Sequence, residues 1–269
     1  MFLRQVNIEL RKTVKHPALW AGLAALTLLL ALFIFVHHSQ IKYGYIPAEG
    51  GLENDLLNGL SLYNWISGLI YAVTASVIAA YDYPERTLQL WLTRGLPRPI
   101  LLFARLKVIL LFGALMIAFT LLTTLGLAVL SRTLFFGVVD VSHFNAVALL
   151  PAFLRTVWSA LPYLALTVLL AVISRSPLFA AGAMIFYSDI AERLALMLSD
   201  RYPALTRFLP GQLALILQAQ NFVLDRTATQ PTLDPRWMSE PQAILSIGVI
   251  FLVTCGLTLL IFSRQDLGG

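Results

Sequence analysis

Six apolar stretches divide this chain, and a bilayer is the environment that their length fits. They cover residues 18–36, 60–80, 108–130, 152–173, 177–198 and 243–262. Each is close to the ~20 residues that a helix needs to cross the hydrocarbon. The fifth is the weakest, because Asp189, Glu192 and Arg193 interrupt it. Backbone amides inside hydrocarbon must find partners within their own segment, so the expected fold is all-α. Only 12% of the 269 residues are charged, against about 25% in a soluble domain. That much apolar surface cannot hide in a water-soluble core of this length. The chain is therefore expected to be an integral membrane protein of one domain, residues 1–269, without internal repeats.

Charge placement sets the orientation. With the N-terminus inside, the cytoplasmic pieces are 1–17, 81–107, 174–176 and 263–269. These hold eleven of the nineteen Lys and Arg residues. The expectation is a multi-pass protein of the plasma (inner) membrane with both termini cytoplasmic. The net charge of +5 is then topology and not a nucleic-acid interface. The N-terminus has no compact apolar core followed by a small-residue cleavage site, so it does not read as a signal peptide.

Residues 1–17 have a helical period. Leu3, Val6, Leu10 and Val14 share one face, and Arg4, Arg11, Lys12 and Lys15 another. This predicts an amphipathic helix in the membrane interface, with its cations among lipid headgroups; the plainer reading is a solvated tail. Pro17 permits a bend into the first span.

The segment 81–107, YDYPERTLQLWLTRGLPRPILLFARLK, is the most informative in the chain. Asp82 and Glu85 form a capping-box variant, with Pro84 in the first turn. Arg94, Gly95 and Pro97 are stop signals. A helix over 83–94, ~18 Å long, is expected to lie beneath the bilayer with Leu88, Trp91 and Leu92 on an apolar side. Arg105 and Lys107 are expected to snorkel at the inner end of the third span.

This segment resembles the corresponding loop of the ABC type-2 transporter permeases. In that family the loop often reads as an acidic residue, a Thr-Leu pair, a Leu-rich stretch, Pro, a basic residue, then Lys. Here these are Glu85, Thr87-Leu88, Leu90 to Leu92, Pro97-Arg98 and Lys107. Arg86 stands where the family commonly has glycine. Ser263 to Leu267 also resembles the family's short tail. The resemblance implies six transmembrane helices, an N-terminal interfacial helix, a cytoplasmic coupling helix between spans two and three, and short re-entrant or outer helices between spans five and six. It implies a transmembrane permease subunit of an ATP-driven exporter. Such a subunit pairs with a second permease chain, identical or not, in contact with membrane lipids. ATP and Mg would be bound by a separate ATP-binding subunit, and this chain would hold no cofactor and no metal. Contact with that subunit would fall on Glu85, Arg86, Thr87, Leu88, Leu90, Trp91 and Leu92. An ordinary interfacial connector is the competing reading of the loop.

Ionisable groups within a span are hypotheses of function by default. Asp189 and Arg193, four residues apart, can pair along a helix. They lie ~18 and ~24 Å from Pro177. Arg155 opens the fourth span on the same side and can meet Glu192. Arg155, Asp189, Glu192 and Arg193 are read either as a polar patch lining an outward exit or as a solvated, self-paired cluster at a short span's end. The same residues carry the alternatives of a membrane-embedded enzyme using Asp189, Glu192 or Arg155, and of a stand-alone secondary carrier. The outer loop, 199–242, holds an apolar piece at 211–224 that is too short to span and is expected to be re-entrant.

The chain has no G-x-x-x-x-G-K-[ST], so it is not expected to bind ATP through a P-loop. It also has no G-x-S-x-G and no H-E-x-x-H. Adjacent His37 and His38, expected at the outer interface, make a weak metal signal. Cys255 is the sole cysteine.

Overall fold

The computed structural model describes residues 2–45, 51–83, 97–139, 141, 144–198, 201–221 and 238–265, and every regular element among them is helical. Helix α1 is Phe2–Lys15, α2 Pro17–Lys42, α3 Leu52–Ala80 and α4 Arg98–Phe136. A single 3₁₀ turn, Ala146–Ala148, leads into α5, Leu149–Ser174. The next helical path has three parts: α6 Pro177–Ile185, a π turn Phe186–Ala191, and α7 Glu192–Met197. Two short helices follow, α8 Pro203–Thr206 and α9 Pro210–Gln218, and α10 is Glu240–Arg264. Five helical stretches are long and apolar enough to cross a membrane: Leu19–Lys42, Leu52–Ala80, Arg98–Phe136, Ala146–Ser174 and Glu240–Arg264. This is a multi-pass membrane protein.

Three of these helices extend more than five residues beyond their apolar stretches at one end or both. Helix α4 starts at Arg98 and not near Val108, so its 39 residues extend ~58 Å, about twice the hydrocarbon thickness. Residues 98–107, expected to be part of the loop, are its first turns. Helix α3 starts eight residues before the apolar stretch and carries Glu53 and Asp55 into the bundle. Helix α2 continues through His37 and His38 to Lys42.

Hydrogen bonds establish which helix ends meet. Arg98 donates to the carbonyls of Ser263 and Gln265, and Gln265 donates to the Val172 carbonyl. The start of α4 and the ends of α5 and α10 therefore share one end of the bundle, here the proximal end, with α1 and the end of α3. At the distal end, the end of α2 meets the start of α3 and the end of α4. Helix α5 is central, packing on α3, α4, α6, α9 and α10.

Helix α1 docks on α4 through a polar side. Its buried residues are Gln5 and Glu9, with Val6 and Leu10 half-buried on the core. Leu3 and Val14 are exposed. The apolar face is split because α1 docks on α4 beside a buried charge, Arg105, which attracts the polar side of the helix. Arg105 does not snorkel: it is 2% exposed. Lys107 is exposed and lies over the Phe2 ring at 5.6 Å.

The distal end is fastened by a second buried polar cluster. His38, fully buried, has Nδ1 2.7 Å from Ser131 Oγ and Nε2 3.0 Å from Asp55 Oδ1. Arg132 Nε donates to Asp55 Oδ2 at 2.5 Å and Nη2 to the Gly51 carbonyl at 3.0 Å. The cluster ties α2, α3 and α4 together, so His38 is a buried structural group. Removing one partner of a buried ion pair strands the other, at a cost of about 3–5 kcal/mol. Asp55→Ala is accordingly expected to lower the melting temperature in detergent sharply. The double variant Asp55→Ala/Arg132→Ala should lose less than the sum of the single variants. Additive losses would show that the pair contributes nothing as a pair.

Candidate functional site

Helix α3 has the lowest hydropathy of the five long helices, 1.4 against 2.0 to 2.7 in the others. Its polar residues have a helical period: Ser61, Asn64, Ser67 with Gly68, and Tyr71 recur every three or four positions and form one stripe. That stripe lines a cavity of about 390 Å³. Facing it are Ser159 and Tyr163 of α5, Ser188 and Asp189 of the π turn, and Glu192 and Arg193 of α7. Gly211 and Gln218 of α9 complete the wall.

The π turn positions this chemistry. Glu192 donates its amide to the Tyr187 carbonyl five residues back, which widens the helix by one residue. Such turns recur at functional sites. Gly68 makes the close approach possible: a Cβ at that position would lie 2.7 Å from Ser188 Cβ.

Three of the four charged candidates meet here. Arg193 Nη2 lies 3.3 Å from Asp189 Oδ1 and donates to the Trp65 carbonyl at 2.9 Å, with its guanidinium 5.3 Å from the Trp65 ring centre. Glu192, 3% exposed, accepts from Tyr163 Oη at 2.7 Å and from the Gly211 amide at 2.6 Å. Arg155 is elsewhere. It pairs with Glu240 at 2.9 Å and donates to the Gln220 carbonyl, so the expected meeting of Arg155 with Glu192 does not occur. Glu192 reaches the first turn of α9 instead.

Trp65 is ~20 Å along α3 from Leu52 and ~22 Å from Ala80. Arg193 therefore sits beside the middle of a 29-residue helix and not at its tip. The path Pro177–Met197 is ~31 Å long, shorter than α3, and α9 packs above it on α5 and α10.

The expected loop helix 83–94 lies, apart from Tyr83, outside the described residues, and with it Glu85, Arg86, Thr87, Leu88, Leu90, Trp91 and Leu92. Both stems of the loop are described. Asp82 is 4% exposed and pairs with Arg105 through Nη2, while Lys12 Nζ donates to its other oxygen at 3.3 Å. Arg105 also donates to the Ala79 carbonyl at 2.9 Å and lies 3.9 Å from Glu9. Asp82 was expected to act as a helix cap; its carboxylate also anchors α1 and α4. Tyr83 Oη donates to Gln265 Oε1 at 3.4 Å. Burial pushes its phenol up, against the pull of nearby Arg105 and Arg175. On the exit side, Arg98 grips the end of α10.

These features define a helical membrane protein with a cavity midway along α3 and a polar clamp joining α1, the end of α3 and α4. Residues 23–267 match the family described as "Protein of unknown function (DUF2705)", and the chain belongs to that family. No curated protein matches it.

The sequence reading missed the α3 stripe, Tyr163 and the contribution of Gly211. The stripe was visible as period-3.6 polarity within an apolar run. The other two come from elements that only folding brings beside Glu192. If the cavity admits water, a cysteine at Ser188 in a Cys255→Ala background should react with a small methanethiosulfonate. One at Thr120, which is fully buried, should not. Absence of reaction at position 188, as at position 120, would show that the cavity is closed to solvent.

Proposed function

We propose that this chain is the permease subunit of an ATP-driven transporter, most simply an exporter, crossing the plasma membrane six times with both termini in the cytoplasm. In this reading Pro177–Met197 is the fifth crossing, and α9 re-enters from the outer side to meet it. A second permease chain completes the pathway, and a separate ATP-binding subunit docks on residues 83–94.

The mounting of the loop supports this reading best. An element that receives force must be fixed to the helices it moves. Asp82 ties the loop's entry to α1 and α4, and Arg98 ties its exit to α10. A passive connector needs neither bond. Two carboxylates, Glu9 and Asp82, balance two cations, Lys12 and Arg105, so the clamp is neutral and fits a low-dielectric setting. The mid-bundle cavity supplies a polar station that a transport path needs in hydrocarbon. The basic residues concentrated at the proximal end favour its cytoplasmic placement.

Charge reversal at Glu85, or Trp91→Ala, is expected to reduce co-purification of an ATP-binding subunit with this chain, without lowering the amount of permease in the membrane. Undiminished co-purification in both variants overturns the docking assignment.

A further inference from the structure

Four carboxylates in the described residues are almost fully buried: Glu9, Asp55, Asp82 and Glu192. Three have a cation within 4 Å: Arg105 and Lys12 beside Glu9 and Asp82, and Arg132 beside Asp55. Among the described residues Glu192 has none. Its two recorded partners, the Tyr163 hydroxyl and the Gly211 amide, are neutral. Asp189 and Arg193 cancel, so an ionised Glu192 leaves the cavity one negative charge in excess. The clusters at the two ends of the bundle carry no such surplus.

The hydroxyls in the wall point the same way. Ser67 donates to the Asn64 carbonyl at 2.9 Å, Ser159 to Thr156 at 2.9 Å and Ser188 to Met184 at 3.0 Å. A hydroxyl has one proton and two lone pairs. With its proton returned to the helix backbone, each serine offers the cavity an acceptor. Arg193, the one cation in the lining, uses Nη2 for both Asp189 and the Trp65 carbonyl. The wall thus presents serine acceptors, and an ionised Glu192 makes the cavity negative.

We propose that this cavity binds a small organic cation bearing a primary ammonium or guanidinium group, with Glu192 as its counter-ion. A donor-rich cation matches the serine acceptors, and a volume of about 390 Å³ lies within the range of small-ligand pockets. A bare divalent metal fits poorly, because hard cations take six or more oxygens and Glu192 is already bonded to two donors. Binding stands on this geometry alone; the further statement that the cation is cargo rests on the permease reading.

The test uses the full chain in phosphatidylcholine nanodiscs, with agmatine as the probe, sorbitol as a neutral hydroxyl-rich control, and empty nanodiscs to subtract lipid binding. Calorimetry should show saturable agmatine binding and none for sorbitol. Glu192→Gln should weaken agmatine binding by about tenfold or more, as loss of a buried counter-ion does. Arg193→Gln should tighten it, because Asp189 is then released as a second anion. This opposite-signed variant keeps the test decisive if Glu192→Gln folds poorly. Agmatine binding that is absent in the native chain, unchanged by Glu192→Gln or weakened by Arg193→Gln overturns the proposal, as does equal binding of sorbitol. The assay contains no nucleotide and no ATP-binding subunit. Lost binding with intact co-purification therefore removes the cation site and leaves the permease reading. The reverse result removes the permease reading and leaves the site.

Discussion

Burial of the Arg105 guanidinium is the constraint from which the proximal architecture follows. An isolated cation taken out of water costs several kcal/mol even after relaxation, so Arg105 must be surrounded by partners. Asp82 comes from the end of α3, Glu9 from α1, and the Ala79 carbonyl from the last turn of α3. Satisfying this one side chain fixes where α1 docks, which way it faces and where the loop leaves α3. It also explains why an amphipathic helix turns its Gln5–Glu9 side inward and leaves Leu3 exposed. Electrostatic satisfaction outweighs the burial of two apolar side chains, worth roughly 1.5–3 kcal/mol each in water and less beside lipid, where exposure to hydrocarbon carries little penalty.

The same rule operates differently in the middle of the bundle. At each end, charges are matched within the protein and the result is a fastening. In the cavity, the π turn and Gly68 bring hydroxyls and carboxylates to one wall. Leaving polar surface at mid-depth is unfavourable in hydrocarbon, and natural chains keep such groups where a polar path or guest requires them. The irregular backbone of the π turn has the same logic, because non-helical geometry at membrane depth survives where it lines a cavity or is covered by protein. Clamp and cavity share helices: α3 carries both the stripe and Asp82.

The five long apolar helices were legible because length and hydropathy are properties of the chain itself. Their ends were not. Residues 98–107 read as loop, since Arg98, Arg105 and Lys107 interrupt the apolar pattern, yet they continue α4 because Asp82 and Glu9 compensate Arg105. Residues 52–59 precede the second apolar stretch, yet Asp55 enters the bundle, where it meets His38 and Arg132. The pairing of Asp189 with Arg193 followed from i,i+4 spacing alone. The pairing of Arg155 with Glu240 did not, because it joins residues 85 positions apart in the chain.

The sequence by itself determined that this is a helical membrane protein, which stretches are long and apolar enough to cross, and that charges interrupt the fifth apolar stretch. Those outcomes depend on local composition and on the bilayer's fixed thickness. Tertiary structure alone decided which buried charges are neutralised and which one is left over. Pairing depends on distances between helices that no spacing along the chain encodes. Glu192 differs from Glu9, Asp55 and Asp82 through its neighbours, and only the packing of α3, α5, α7 and α9 supplies those neighbours.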